Sequence, residues 1–225
     1  WDLFTQDTLF HIKPTGNGWF RGAQLSGDDR DLFIVSGDTL QQWSLATKRL
    51  TQSNPLPSEN DGVFHAEQNL LLSKSEYGAS NPAIFVLDCK TGKTVEEISL
   101  PAGESSSFSA KAFSLDGQRV LIQNGDGSAA QLLVWSRTQK AFIDTLSLEV
   151  PFNPFDSKEF LAYASSGNQI LVETPGDMIQ ESSGGIIRMT NYGSGTMELW
   201  DLEDNEIVTT FAGPNSGVLD AAFSA

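Results

Sequence analysis

The chain has 225 residues and a formal net charge of −15, from 29 acidic and 14 basic side chains. This excess argues against nucleic acid or an anionic membrane as the main partner, since both attract basic surfaces. The 20 glycines and 9 prolines are spread along a chain that is 39% hydrophobic, which predicts many short elements and tight turns around a sizeable core. The acidity either keeps the protein soluble or recruits a basic partner.

The single cysteine, Cys89, excludes an internal disulfide framework and a multi-cysteine zinc site. It is compatible with a reducing compartment, so the cytoplasm is slightly favoured, although the compartment stays open. No apolar run approaches the ~20 residues of a membrane span. The sequence starts with Trp1 and not with Met, so we expect it to be part of a larger chain.

A short frame recurs from the first residue onward, in which a large apolar residue is followed by Asp or Ser at the end of a strand-like segment. Three of the four intervals between its copies lie near the roughly 40–45 residues of a four-stranded propeller blade, and the fourth is about twenty residues longer. The copies are Trp1-Asp2, Trp43-Ser44, Leu87-Asp88, Trp135-Ser136 and Trp200-Asp201.

The third repeat shows the strand pattern most clearly. Its four strand-like segments, rich in apolar residues, are separated by turn sequences such as Asp116-Gly117 and Asn124-Gly125, which suit tight antiparallel connections. Four strands and three turns in one period predict one antiparallel sheet per repeat. The segments are 109–114, 119–123, 131–135 and 141–146.

These residues resemble the WD40-repeat family over essentially the whole chain, most closely at Leu199-Trp200-Asp201-Leu202. The resemblance implies an all-β fold, a β-propeller of four-stranded antiparallel blades around a central channel, in which the tryptophans pack between sheets. No Gly-His pair opens the repeats, so they are divergent and the quinoprotein-like propellers are near relatives. The structural repeat signature comprises Trp1, Asp2, Trp43, Asp88, Trp135, Trp200 and Asp201.

The repeats predict one propeller region over residues 1–225, with about four full blades and partial blades at both ends. We expect a piece of a propeller that closes with seven or eight blades. Its parts are a partial blade at 1–12, repeats at approximately 17–54, 61–101, 106–149 and 155–212, and a partial blade at 216–225.

A catalytic constellation is not visible in the sequence. Only His11 and His65 could serve as histidine bases, and both are expected to be structural. The acidic runs 28–31 and 203–206 occupy predicted turns that could form an acidic rim, but neither has the ligand spacing of a calcium loop. No phosphate-binding glycine motif is present. We therefore predict no enzyme activity, no cofactor and no metal.

The irregular region is the insertion 174–195, between the predicted strands 169–173 and 196–200. In the family's geometry it projects from the usual partner-binding face, and its Met, aromatic and Arg side chains are of the kinds found at contact surfaces. The alternative is an extra hairpin packed on its own blade. Candidate partner-binding residues are Met178, Ile179, Ile186, Ile187, Arg188, Met189 and Tyr192, with Phe152 and Phe155, which each follow a proline and for which the alternative is a buried corner position.

The sequence thus favours a non-catalytic scaffold that binds a protein or peptide through the face carrying the insertion. One alternative is a ligand-binding or enzymatic propeller with its site at the channel mouth. Another is a structural or sensor region of a larger multidomain protein.

Overall fold

The computed structural model describes most of the chain between residues 20 and 212. It describes the backbone alone at residues 147, 159–162, 173–174, 178–183, 186–191 and 212. In the part of the chain that the structure describes, every regular element is a β-strand, and no helix long and apolar enough to cross a membrane is present. The described residues are Ile12, 20–57, 62–75, 81–101, 108–125, 131–147, 159–164, 168–174, 178–183, 186–191, 196–204 and 206–212.

The described strands form four antiparallel sheets of four strands each, here called blades 1 to 4. Blade 1 contains β1 (Phe20–Leu25), β2 (Asp31–Ser36), β3 (Thr39–Ser44) and β4 (Arg49–Pro55). Blade 2 contains β5 (Val63–His65), β6 (Leu70–Lys74), β7 (Ala83–Asp88) and β8 (Thr94–Ser99). Blade 3 contains β9 (Phe108–Phe113), β10 (Arg119–Asn124), β11 (Gln131–Ser136) and β12 (Ala141–Ser147).

Blade 4 is interrupted by a hairpin. Its strands are β13 (Glu159–Tyr163), β14 (Gln169–Thr174), β17 (Thr196–Asp201) and β18 (Glu206–Ala212), while β15 (Met178–Ser183) and β16 (Ile186–Asn191) form a separate two-stranded sheet. The all-β class and the four full sheets predicted from the repeats are confirmed.

The chain divides into two compact units, residues 1–100 with blades 1 and 2, and residues 101–225 with blades 3 and 4. Each unit has an apolar core between its two blades, and burial of this surface contributes about 25 cal/mol per Å². The first core contains Phe33, Val35, Leu40, Leu56, Leu71, Leu87 and Cys89. The second contains Leu121, Leu132, Val134, Leu146, Ile170, Val172 and Leu202. A single propeller region over residues 1–225 stays a prediction.

Each described blade is closed at one end by the same backbone hydrogen bond. The N–H of the residue that follows the third strand donates to the carbonyl of the residue that precedes the second strand. The first and third turns of the blade are thereby tied together, and two backbone groups that would otherwise need a partner are satisfied. The bonds are Leu45 to Arg30 (2.9 Å), Cys89 to Asn69 (2.8 Å), Arg137 to Gln118 (2.8 Å) and Leu202 to Asn168 (2.7 Å).

Each described blade also carries a β-bulge at the position of the repeat frame. The pairing of the third strand with the fourth shifts between Gln42 and Trp43 in blade 1, and at the corresponding residues of the other three blades. The shift leaves Val95, Ile143 and Val208 as extra residues on the outermost strands of blades 2, 3 and 4. Such bulges increase the local twist and disfavour pairing of the outer edge with another chain.

Blades 1 and 2 approach closely at Gly92, in the third turn of blade 2. Its φ is +68°, in the left-handed region, and an added Cβ would lie 2.5 Å from Cγ of Asn54. Two independent constraints, backbone conformation and space, therefore require glycine at this position.

We predict that Gly92→Ala lowers the free energy of unfolding of the unit by roughly 2–4 kcal/mol, the sum of the left-handed conformation and the overpacking. Urea denaturation followed by tryptophan fluorescence measures this loss. The control is the same change in an Asn54→Gly background, where both Cβ and Cγ of residue 54 are removed, so that the clash is relieved and the conformational part persists. An equal loss in both backgrounds would contradict the close approach.

Candidate functional site

The candidate partner-binding insertion forms a regular hairpin in the second connection of blade 4. β15 and β16 pair in register from Met178 opposite Asn191 to Ser183 opposite Ile186. The pairing of β14 with β17 continues to Thr174 opposite Thr196, so the hairpin leaves the blade without disturbing its ladder.

Six of the candidate residues lie on the backbone of this hairpin, while three lie outside the described residues. The six are Met178, Ile179, Ile186, Ile187, Arg188 and Met189; the three are Tyr192, Phe152 and Phe155. Their role in partner binding stays a prediction.

The tryptophans of the repeat signature lie at one register position of the third strand in blades 1, 3 and 4. Nε1 of Trp43 donates to Oε1 of Gln41 (3.2 Å), and Nε1 of Trp200 donates to Oε2 of Glu198 (3.0 Å). Trp135 makes an edge-to-face contact with Phe142 at 5.0 Å, and Trp200 packs against the core between blades 3 and 4. The described tryptophans thus contact residues of their own blades and of the core, and their structural role stays a prediction. Trp1 lies outside the described residues.

The Asp or Ser that follows the tryptophan position caps the third turn. Oδ1 of Asp88 accepts from the N–H of Thr91 (2.7 Å) and from its hydroxyl (2.8 Å). Oδ1 of Asp201 accepts from the N–H of Glu203 (2.8 Å). A side-chain oxygen that satisfies turn amides in this way stabilises the turn locally. Asp2 lies outside the described residues.

The first turns of blades 1 and 3 are built on a Ser-x-Asp pattern. The hydroxyl of Ser26 donates to Oδ1 of Asp28 (2.7 Å), and the hydroxyl of Ser114 donates to Oδ1 of Asp116 (2.6 Å). These hydrogen bonds hold the pKa of both carboxyl groups below the usual value of 3.8. Part of the acidic run 28–31 is therefore used to form its own turn.

The histidine and the cysteine within the described residues, His65 and Cys89, are buried. Nδ1 of His65 accepts from the N–H of Gln68 (3.2 Å) within the first turn of blade 2. Cys89 is 1% exposed, and burial, aided by the charge of Asp88, raises the pKa of its thiol strongly. Across the described ranges, no three His, Cys, Asp or Glu side chains gather as metal ligands. The absence of a metal, a cofactor and catalysis stays a prediction. His11 lies outside the described residues.

A cavity of about 280 Å³ opens along the line where blades 3 and 4 meet, and we call it the seam cavity. Its lining residues come from both blades: Arg119, Val134, Ile143, Asp144, Leu202 and Glu203. Sequence analysis did not find it, because its residues follow no local motif and meet only when the two blades pack together.

One hydrogen bond joins the two blades at the seam cavity, and a second one continues from it within blade 4. Nη1 of Arg119 donates to Oδ1 of Asn168 (2.9 Å), and Nδ2 of Asn168 donates to Oε1 of Glu203 (2.7 Å). Tyr163 packs against the apolar core between blades 3 and 4, and its burial raises the pKa of its hydroxyl to about 12. The polar groups at the cavity are thus held in a fixed arrangement across the two blades.

Comparison with known proteins gives a fold and no family. No family model and no curated protein matches the sequence. Solved structures do match. The Kuenenia stuttgartiensis hydrazine synthase has a TM-score of 0.54 at 13% identity, with 92% of this chain and 52% of that chain covered. The structure of U3-55K has a TM-score of 0.55 at 12% identity, with 91% and 55% covered.

A third similar structure is the β-propeller domain of Myceliophteria thermophila Cps50 (Swd1), with a TM-score of 0.56 at 14% identity. It is matched over 95% of this chain and 79% of that domain, whereas this chain spans about half the length of the other two. At these identities the likeness shows the fold. The four-stranded antiparallel blades are those of a partial β-propeller, as the repeat frame predicts.

We predict that Asp116→Asn removes part of the acid sensitivity of the fold. Because the folded-state pKa of Asp116 lies below its ordinary value of 3.8, its stabilisation is present above that pH and is lost as pH falls through the folded-state pKa. Asn keeps the acceptor oxygen but has no charge to lose at low pH. The difference in urea midpoint between wild type and variant should therefore narrow from pH 5 to pH 2. The carboxyl is largely exposed, so the effect is modest. Ser114→Ala, which removes the donor, should act in the same direction; a constant difference would contradict this origin.

We also predict that Cys89 resists thiol reagents in the native protein. Ellman's reagent at pH 8 should react at least about a hundredfold more slowly in buffer than in denaturing urea, because a buried, protonated thiol reacts only after local opening. The control places the thiol in an exposed turn, as Thr138→Cys in a Cys89→Ala background, which should react at the unprotected rate. Equal rates for both native proteins would show that Cys89 is accessible.

Proposed function

We propose that this chain is a non-catalytic protein-interaction module and that a protein or peptide partner contacts the end of blade 4 that carries the β15–β16 hairpin. The observation that carries the proposal is the insertion of a complete, regularly paired hairpin between two strands whose own pairing is uninterrupted. Because the hairpin does not alter the pairing of the blade strands, it is available for contacts with another molecule.

The same connection in blade 1 shows how little chain the blade itself needs. There, Ser36 pairs with Thr39, and the two residues Gly37 and Asp38 complete the turn. In blade 4 the connection runs through residues 175–195. The extra residues are therefore not needed to join the strands.

The hairpin offers two kinds of contact to a partner. Within its two-stranded sheet each strand pairs on one side only, so backbone N–H and C=O groups on the outer sides suit the addition of a partner strand. Its sequence supplies Met, Ile and Arg residues, which are frequent at protein interfaces. Both features favour a peptide or protein partner over a small molecule.

The opposite end of the blades supports this choice of face. In blades 3 and 4 some of its side chains are occupied by turn structure, as in the hydrogen bonds of Asp116 and Asp201. An end built from tight, repeated turns has less freedom to vary than a connection that can carry an insertion.

The test replaces residues 175–195 with the Gly-Asp turn of blade 1 and compares captured partners with those of the wild type. We expect the shortened chain to keep its thermal transition and to lose specific partners, each verified by direct titration with the purified partner. Thr47→Ala, in the exposed third turn of blade 1, is the control and should keep them.

An unchanged set of partners after the replacement would contradict the hairpin as the contact element. A chain that binds no protein in either form, and binds a small ligand or metal instead, would favour the ligand-binding or enzymatic alternative. A chain that binds nothing by itself would favour the structural or sensor alternative.

A further inference from the structure

The seam cavity lies at the end of blades 3 and 4 that is opposite to the hairpin. Arg119 begins the second strand of blade 3, and Leu202 and Glu203 lie in the third turn of blade 4. The hairpin leaves blade 4 from its second connection, at the other end of the same strands. Any ligand of the cavity would therefore bind at a site separate from the hairpin.

The size of the cavity limits its ligand to something small. Sites for cofactors and drug-sized molecules occupy roughly 300–1,000 Å³ and enclose most of the ligand. At about 280 Å³ the seam cavity lies just below this range. One extended side chain from another protein, with a few waters of ~30 Å³ each, suits it better than a nucleotide or a larger cofactor.

The lining combines an apolar wall with two carboxylates. Val134, Ile143 and Leu202 supply the wall, and Ile143 is 40% exposed, so the wall is open to an incoming group. Asp144 and Glu203 carry negative charge, against the single positive charge of Arg119 among the described lining residues. Long basic side chains match this combination, since their aliphatic stems pack on apolar surface while the charged head stays polar.

In each carboxylate one of the two oxygens accepts a hydrogen bond that fixes its position. Oδ1 of Asp144 accepts from the N–H of Thr145 (2.7 Å), and Oε1 of Glu203 accepts from Asn168 (2.7 Å). Arg119 donates to the other end of the same Asn168 amide, which fixes the orientation of the amide and with it the position of Glu203. Within the described residues the second oxygen of each carboxylate has no hydrogen-bond donor. The two carboxylates are thus held in place and still have acceptors to offer to a cation.

We propose that the seam cavity binds the side chain of a lysine or arginine from a peptide segment of a partner protein. The stem packs on Ile143 and Leu202, and the cationic head donates charge-assisted hydrogen bonds to Asp144 and Glu203. The net charge of −15 attracts a basic segment toward this surface before contact. The site gives the chain a second contact that does not depend on the hairpin.

The test titrates the ¹⁵N-labelled chain with Nα-acetyl-lysine N-methylamide and follows backbone amide shifts by NMR. The norleucine analogue, which has the same stem without the ammonium group, is the matched probe. We expect the lysine probe to shift the amides of Ile143, Asp144, Leu202 and Glu203 and to bind about tenfold more tightly than norleucine or better, because two charge-assisted bonds are lost without the ammonium group.

The double variant Asp144→Asn with Glu203→Gln should lose this preference for lysine. Both substitutions keep the oxygen that Thr145 or Asn168 uses, so the local structure is preserved. The control changes the same charge elsewhere on blade 4, as Asp204→Asn with Glu206→Gln, and should keep the preference. If the double variant does not fold, Glu203→Gln alone provides the same comparison with a smaller loss.

Three results would overturn the proposal: equal binding of lysine and norleucine, an equal loss in the control variant, or shifts that spread over the acidic surface and spare the seam. The chain with the Gly-Asp turn in place of residues 175–195 separates this site from the proposed function. It should keep the lysine preference even where it loses partners, so that either proposal can fail by itself.

Discussion

The backbone hydrogen bond between the first and third turns is the constraint on which the described blades depend. Its donor follows the third strand and its acceptor precedes the second, so each bond closes one end of a blade around its two central strands. One such bond contributes only about 0.5–1.5 kcal/mol net, but leaving its groups buried and unpaired would cost more. The Asp and Ser caps and the bulge beside the tryptophan position lie within a few residues of it, so this end of the blade is specified by local, cooperating contacts.

The two ends of a blade therefore differ. One end is fixed by the hydrogen bonds of the first and third turns, and the other end tolerates a second connection of variable length. At the closed end, Asp116, Asp88 and Asp201 are occupied by turn amides and hydroxyls. At the other end, the second connection can be as short as Gly37-Asp38 or carry a whole hairpin. Because β14 and β17 remain paired up to Thr174 and Thr196, the insertion changes what the chain offers to a partner without changing the blade.

The packing of blade 3 on blade 4 brings together polar side chains that neither blade has by itself. Arg119 belongs to blade 3, Asn168 and Glu203 belong to blade 4, and the amide of Asn168 joins them at 2.9 and 2.7 Å. The apolar core beneath, which includes Val134 and Leu202, holds the two sheets together. A packed core thus positions polar groups at its margin, and in the seam cavity those groups surround a space of the size of one side chain.

The sequence by itself determined the all-β class, the four-stranded sheets and the place of the insertion. It could do so because strand alternation, Asp-Gly turns and the recurring tryptophan frame are local signals, carried by residues close together in the chain. In the structure Trp43, Trp135 and Trp200 contact residues of their own blades, and their structural role stays a prediction. The role of the hairpin residues Met178 to Met189 in binding stays a prediction.

Only the tertiary structure decided which distant residues meet. Arg119 and Asn168 are 49 residues apart, and Asn168 and Glu203 are 35 apart, so no spacing rule connects them. The close approach of Gly92 to Asn54 likewise depends on how blade 2 lies on blade 1. In the sequence, Asp144 and Glu203 are ordinary polar residues of a strand and a turn. They become a site because non-directional apolar burial brings two sheets together, and the depth and angle of that packing are properties of the whole interface.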